Sequence, residues 1–170
     1  MRFKKYKIVL LVLILVFLDQ LTKVFVVQNL YDSSKELVLN IKLTYTENTG
    51  GAFGFAQSSL IGVIMANFIV LGIIIRFLYI QRDKVDIMST ISLLMILAGG
   101  FSNLFDRIYR GFVVDFIDIT NYYIKFPVFN IADMLIVAGW ILFAVFTLLI
   151  NPVTRKIDKE ILQIEGESNK

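Results

Sequence analysis

No cysteine and no histidine occur among the 170 residues of this chain. The first absence excludes disulfides, thiol nucleophiles and thiolate metal sites. The second removes Ser-His and Cys-His catalysis together with histidine metal ligands. Charge is sparse as well, with 18% of residues Asp, Glu, Lys or Arg, and there are only two prolines. Soluble domains carry about 25% charged and about 45–50% apolar residues; here 57% are hydrophobic. A soluble fold of this length keeps much of its surface in water and has no room inside for that excess. A lipid bilayer has.

A membrane-spanning helix needs about 20 mostly apolar residues, and four stretches qualify, at 8–27, 60–80, 87–105 and 131–150. The first follows Arg2, Lys4, Lys5 and Lys7 and so invites comparison with a cleaved signal peptide. It has no small-x-small cleavage site, however, and Asp19 and Lys23 interrupt its distal half. Positive charge sets the orientation. With the N-terminus inside, eleven Lys and Arg residues fall on the inner side, Arg76, Arg82, Lys84 and the basic residues of the C-terminal tail among them. Five (Lys35, Lys42, Arg107, Arg110 and Lys125) fall outside. Both termini are therefore expected to be cytoplasmic. The net charge of +3 reflects topology, and no nucleic-acid partner is expected.

The fold class this predicts is an all-α membrane protein of four transmembrane helices with a small extracellular β segment. Residues 1–150 form one domain, with outer segments at 28–59 and 108–130 and a cytoplasmic turn at 81–84. Residues 151–170 form a charged cytoplasmic tail. The β segment is read from 36–45, where Leu39, Ile41, Leu43 and Tyr45 alternate with polar residues at the strand period.

On this map the polar residues gather at one end. Asp19 and Lys23 lie in the outer half of span one, Asn103, Asp106 and Arg107 at the outer end of span three, and Asn130 and Asp133 at the outer start of span four. Asn48 and Asp115 belong to the outer segments. A helix rises about 1.5 Å per residue, so residues remote in sequence are brought to one depth. Asp19 and Lys23, spaced i,i+4 on one face, read either as a self-neutralising pair in lipid or as a scaffold for polar partners on other helices. Asn48–Gly54 reads as a Gly-rich helix-capping turn or as bare backbone that another chain can approach. Gly99 and Gly100 permit close helix packing in lipid. Arg107 can snorkel to lipid phosphates or pair with an acid.

Asp115, flanked by apolar residues in Val113-Val114-Asp115-Phe116-Ile117, is an odd loop acid. Asp133 begins a span, where an acid also suits the helix macrodipole. Two carboxylates brought together in a poorly hydrated place cannot both ionise easily and share a proton. One then activates water while the other polarises a peptide carbonyl. Asp118 rivals Asp115 for this role but sits in a more polar setting, beside Thr120 and Asn121.

Five segments in order resemble the lipoprotein signal peptidase (signal peptidase II) family of bacteria. They are Asp19-Gln20-x-x-Lys23, Asn48-x-Gly50-x-Ala52-Phe53, Gly99-Gly100-x-x-Asn103-x-x-Asp106-Arg107, Val114-Asp115-Phe116 and Phe129-Asn130-x-Ala132-Asp133. Ser102 stands where the family usually has glycine, which puts helix packing at that turn in question. The resemblance implies an intramembrane aspartic endopeptidase that cuts the signal peptide from a prolipoprotein just before its diacylglyceryl-modified cysteine. Asp115 and Asp133 are then its catalytic pair. Asn48, Gly50, Asn103, Asp106, Arg107, Asn130 and Ala132 bind substrate or orient the pair, with Asp19 and Lys23 in support. No cofactor and no metal are implied; the partners are prolipoproteins and membrane lipids, in the bacterial cell membrane with the site near the outer leaflet. Phe53, Phe55 and Phe116 are candidates for lining a lateral entry. Rival classes are a small ion-coupled transporter, which predicts acids spread through the bilayer depth and often inverted repeats, and a Mg²⁺-dependent lipid head-group enzyme, in which several carboxylates share a metal.

Overall fold

The computed structural model describes residues 5–31, 33–37, 41–50, 59–81, 85–120, 126–150 and 152. The 82–84 turn, Leu39, Ala52–Phe55 and nearly all of the expected tail lie outside the described residues. Four long helices carry the apolar stretches. They are α1 (Lys5–Leu30), α2 (Leu60–Gln81), α3 (Ile87–Tyr109) and α4 (Ile131–Ala144), the last continued by a π-helical turn over Val145–Ile150. All four, the last together with its π-helical continuation to Ile150, are long and apolar enough to cross a bilayer, and the chain is a multi-pass membrane protein. Each of the first three outruns its expected span by one to several residues. In α3 the extra residues include Asp106 and Arg107, which the helix holds on its own last turn.

One helix is central. In its most apolar stretch 67% of α3 is buried, against 11%, 11% and 6% in α1, α2 and α4. The outer three turn large apolar side chains outward, among them Phe17, Ile61 and Val137, as lipid-facing helices must. Leu71 and Ile74 of α2 pack with Leu93, Leu94, Ile96, Leu97 and Leu104 of α3 in the main apolar cluster. Asp86 caps α3 by accepting from the Met88 and Ser89 amides at 2.9 Å each.

A three-stranded antiparallel sheet closes one end of the bundle: β1 (Ser34–Glu36), β2 (Lys42–Asn48) and β3 (Val113–Asp118), in that order. The expected β segment is there, shifted toward β2, and Ile41 precedes the strand. Leu43 and Tyr45 do share a buried face, packing with Val26, Leu30, Val114 and Phe116. The third strand was not read from the sequence. Gly111, with φ +83°, supplies the left-handed turn that lets the chain leave α3 and run back as β3. β3 then receives the segment before α4, through Ile117 N–H to Phe129 O at 2.8 Å and Phe129 N–H to Ile117 O at 3.1 Å. That pairing delivers the start of α4 beside the middle of β3.

Candidate active site

Asp115 is the third residue of β3, and its side chain points inward with 2% exposure. Alternation along a strand explains how an acid can sit between four apolar neighbours and still face a polar interior. Asp133 is the third residue of α4 and belongs to a capping box. Asn130 Oδ1 accepts from Asp133 N–H at 2.9 Å, and Asp133 Oδ2 accepts from Asn130 N–H at 3.3 Å. The capping role and a catalytic role are therefore compatible, because the other carboxylate oxygen, Oδ1, is directed to Asn103.

Three asparagine amides point their NH₂ groups at these two carboxylates. Asn103 Nδ2 donates to Asp133 Oδ1 at 2.7 Å. Asn130 Nδ2 donates to Asp115 Oδ1 at 2.6 Å, and Asn48 Nδ2 donates to Asp115 Oδ2 at 2.8 Å. Each amide has a donor fixed against its carbonyl end: Lys23 Nζ on Asn103, Asp133 N–H on Asn130 and Gly50 N–H on Asn48. Asn130, wholly buried, thus bridges the pair. Burial raises the Asp115 pKa to about 7, with the neighbouring Asp133 charge pushing the same way and the Asn48 and Asn130 amides opposing.

Behind Asp133 lies a wholly buried ion cluster of Asp19, Lys23 and Asp106. Lys23 Nζ sits 2.8 Å from Asp19 Oδ2 and 2.9 Å from Asp106 Oδ2. Asp106 also pairs with Arg110 and accepts from Val114 N–H at 3.3 Å, which ties α3 to the residue before Asp115. Asp19 Oδ1 accepts the Ala132 amide at 2.9 Å, satisfying one of the orphan N–H groups at the start of α4. α1 therefore reaches across to cap the helix that bears Asp133. Gly99 explains the closeness of α3 and α4: a Cβ there would stand 2.3 Å from Ala132 O.

Ser102 does not weaken this packing. Its hydroxyl donates to Asp19 Oδ2 at 2.6 Å and accepts from Gln20 Nε2 at 2.9 Å, so the side chain is absorbed by the cluster. Arg107 donates to Gly50 O at 2.8 Å and to Asn103 O at 3.2 Å, fastening the end of the β2 segment to α3. Asp118 stands apart from the pair and caps its own turn, accepting from Thr120 N–H at 2.8 Å. All the expected site residues thus join one network. Gln20 and Arg110 join it too; of their contacts only the Arg110–Asp106 pair, at i,i+4, has a spacing in the sequence that favours it. Asp19 and Asp106 are turned onto cations, and among the described residues no three acids group as metal ligands do.

Residues 11–149 match the family model described as signal peptidase (SPase) II. The chain is similar to the lipoprotein signal peptidase of Clostridioides difficile (strain 630), 36% identical over 153 residues that make up 86% of this chain and 98% of that protein. It is 39% identical to that of Wigglesworthia glossinidia brevipalpis over 137 residues, 78% of this chain and 88% of the relative. Its fold resembles a bacterial membrane enzyme solved by the in meso method at 1.9 Å resolution. The TM-score is 0.75 at 28% identity, covering 88% of this chain and 97% of the other.

Proposed function

The chain belongs to the signal peptidase (SPase) II family of proteases, and on that premise we propose that Asp115 and Asp133 are the carboxylates with which it removes signal peptides from prolipoproteins. The observation that carries this assignment is the set of three oriented asparagines: two acids from different elements are bridged by Asn130 and held by amide donors. Such donors stabilise one ionised carboxylate, while burial and mutual repulsion keep a proton on the pair near neutral pH. One carboxylate takes a proton from water as its oxygen adds to the scissile carbonyl. The other, protonated, donates to the carbonyl oxygen. Collapse of the tetrahedral intermediate breaks the C–N bond, and the amine leaves with the proton first taken from water.

The substrate is a prolipoprotein whose cysteine carries diacylglyceryl, and the cut falls just before that cysteine. Its signal helix approaches laterally between α2 and α4. A cavity of about 340 Å³, lined by Gly62, Ala66, Asn67, Gly100, Ile136 and Trp140, supports this path, because Gly100 and Ile136 each lie three residues from Asn103 or Asp133 along their helices. Membership of a family with bacterial relatives supports a location in the bacterial cytoplasmic membrane, and the bias of basic residues supports both termini and the 151–170 tail being cytoplasmic, with the pair near the outer leaflet.

The test is incubation of the purified chain in detergent with a diacylglyceryl-modified prolipoprotein and, in parallel, its unlipidated precursor, each with and without a chelator. Cleavage confined to the lipidated form is expected. Equal cleavage of both would overturn lipid recognition, and loss of activity to the chelator would overturn the metal-free mechanism.

A further inference from the structure

Lys23 is wholly buried, and an ammonium has three hydrogens and no lone pair. Three acceptors take them: Asp19 Oδ2 at 2.8 Å, Asp106 Oδ2 at 2.9 Å and Asn103 Oδ1 at 2.8 Å. Neutralising charge in lipid accounts for the first two. The bond to Asn103, a neutral amide, has no part in that balance, and Asp106 already has Arg110 as a second cation.

The two ends of an asparagine amide differ, one accepting and one donating. With Lys23 on Oδ1, and Asn130 Nδ2 also on it at 3.2 Å, Nδ2 of Asn103 faces Asp133 Oδ1 at 2.7 Å. Reversing the amide would set NH₂ against an ammonium and a carbonyl oxygen against a carboxylate, so both ends would lose their bonds. We infer that Lys23 is a positioning residue of the peptidase reaction, occupying the carbonyl end of Asn103 and thereby holding its NH₂ donor on Asp133. This rests on the reading of Asp115 and Asp133 as the reacting pair. It gives a cation on α1, whose hydrogens are all taken by other groups, control over a carboxylate on α4.

A double-mutant cycle on the full chain in detergent, with a diacylglyceryl-modified prolipoprotein, tests it. Lys23→Met in the wild-type background is expected to lower kcat on the order of 10²-fold with KM little changed, and to cost almost nothing further in an Asn103→Ala background. Equal losses in both backgrounds would make Lys23 a structural ion only and overturn the inference. Because Lys23→Met leaves buried carboxylates short of a cation, Lys23→Met with Asp19→Asn is the second variant: it removes the donor to Asn103 Oδ1 while keeping the buried charge balanced, Asp106 still having Arg110. It is expected to fold and to lose kcat as Asn103→Ala does; cleavage near the wild-type rate would overturn the inference. Asp133→Asn, run alongside, separates the failures. If it cleaves, the pair itself is wrong; if it is dead while Lys23→Met costs the same in both backgrounds, only the role of Lys23 falls.

Discussion

The two ends of α3 both bury polar side chains, and they use them in opposite ways. At the end away from the sheet, Ser92 Oγ donates to Met88 O at 2.7 Å and the Thr90 hydroxyl to Asp86 O at 2.8 Å, each within its own turn. Ser89 Oγ also meets Thr147 Oγ1 at 3.5 Å, in the π-helical continuation of α4. At the sheet end local pairs and caps are joined by many bonds between residues far apart in sequence: Lys23 to Asn103, Ser102 to Asp19, Asp19 to Ala132, Asn48 to Asp115. Self-satisfied hydroxyls make a helix tolerable in lipid and specify little about its neighbours. Bonds between elements fix where each element stands, and those at the sheet end converge on two carboxylates. A transporter would be expected to distribute such groups through the membrane depth; family membership and this one-ended network both speak for the peptidase.

Close helix contacts break the comparison most severely. Gly99 lies at the sheet end and Gly139 faces the other half of α3, where its Cβ would stand 2.7 Å from both Ile96 Cγ1 and Ser92 O. Each alanine substitution should cost about 1–3 kcal/mol by overpacking. Gly99→Ala, which drives α4 from α3 beside Asp133, should also cut cleavage on the order of 10²-fold, whereas Gly139→Ala should lose far less activity for a similar fall in thermal midpoint in detergent. Comparable activity losses would remove the distinction between the two ends.

Acidity gives the next largest effect. With the Asp115 pKa raised to about 7, the pair gives up its shared proton as pH climbs through that value, so cleavage should fall above about pH 7. The linked stability has the same direction. Between the ordinary carboxylate value of about 4 and about 7, the folded state holds a proton that the unfolded chain has released. This contribution is greatest below the unfolded value and is lost as pH rises through the folded one. Titrating the cleavage rate and the thermal midpoint checks both, and Asp115→Asn should flatten the midpoint across that window.

Smaller effects sharpen the contrast. Ser102→Ala removes a hydroxyl bonded to an ionised acid, so it should lower stability by about 1.5–3 kcal/mol and reduce kcat through Asp19 without abolishing cleavage. Gly72→Ala, on α2 with nothing within 4 Å of the new Cβ, should leave stability within about 0.5 kcal/mol and cleavage unchanged.

What the sequence showed of this follows from which forces are local. Four apolar runs and the basic-residue bias report interaction with the bilayer, which acts residue by residue, so the spans were legible to within a few residues. The convergence of Asp19, Asn103, Asp106, Asn130 and Asp133 was legible too, because helix rise alone sets their depth. β3 was not. Its six residues, Val113–Asp118, show little alternation and are buried over most of their length, and their strand character depends on pairing with β2, some 70 residues earlier in the chain. The same holds for Gln20, whose partners Ser102, Asp106 and Arg110 are set by the packing of α1 against α3. Choosing Asp115 over Asp118 likewise depends on which way β3 faces: Asp118 is used in its own turn, Asp115 in the network.

The most direct measurement is the single-turnover rate of cleavage of a diacylglyceryl-modified prolipoprotein by Asp115→Asn, Asp133→Asn and Asp118→Asn, each shown to be folded by its thermal midpoint. Two oriented carboxylates as the reacting pair predict no cleavage by the first two and a wild-type rate for the third. Cleavage by Asp115→Asn or Asp133→Asn, or its loss in Asp118→Asn, would contradict the account.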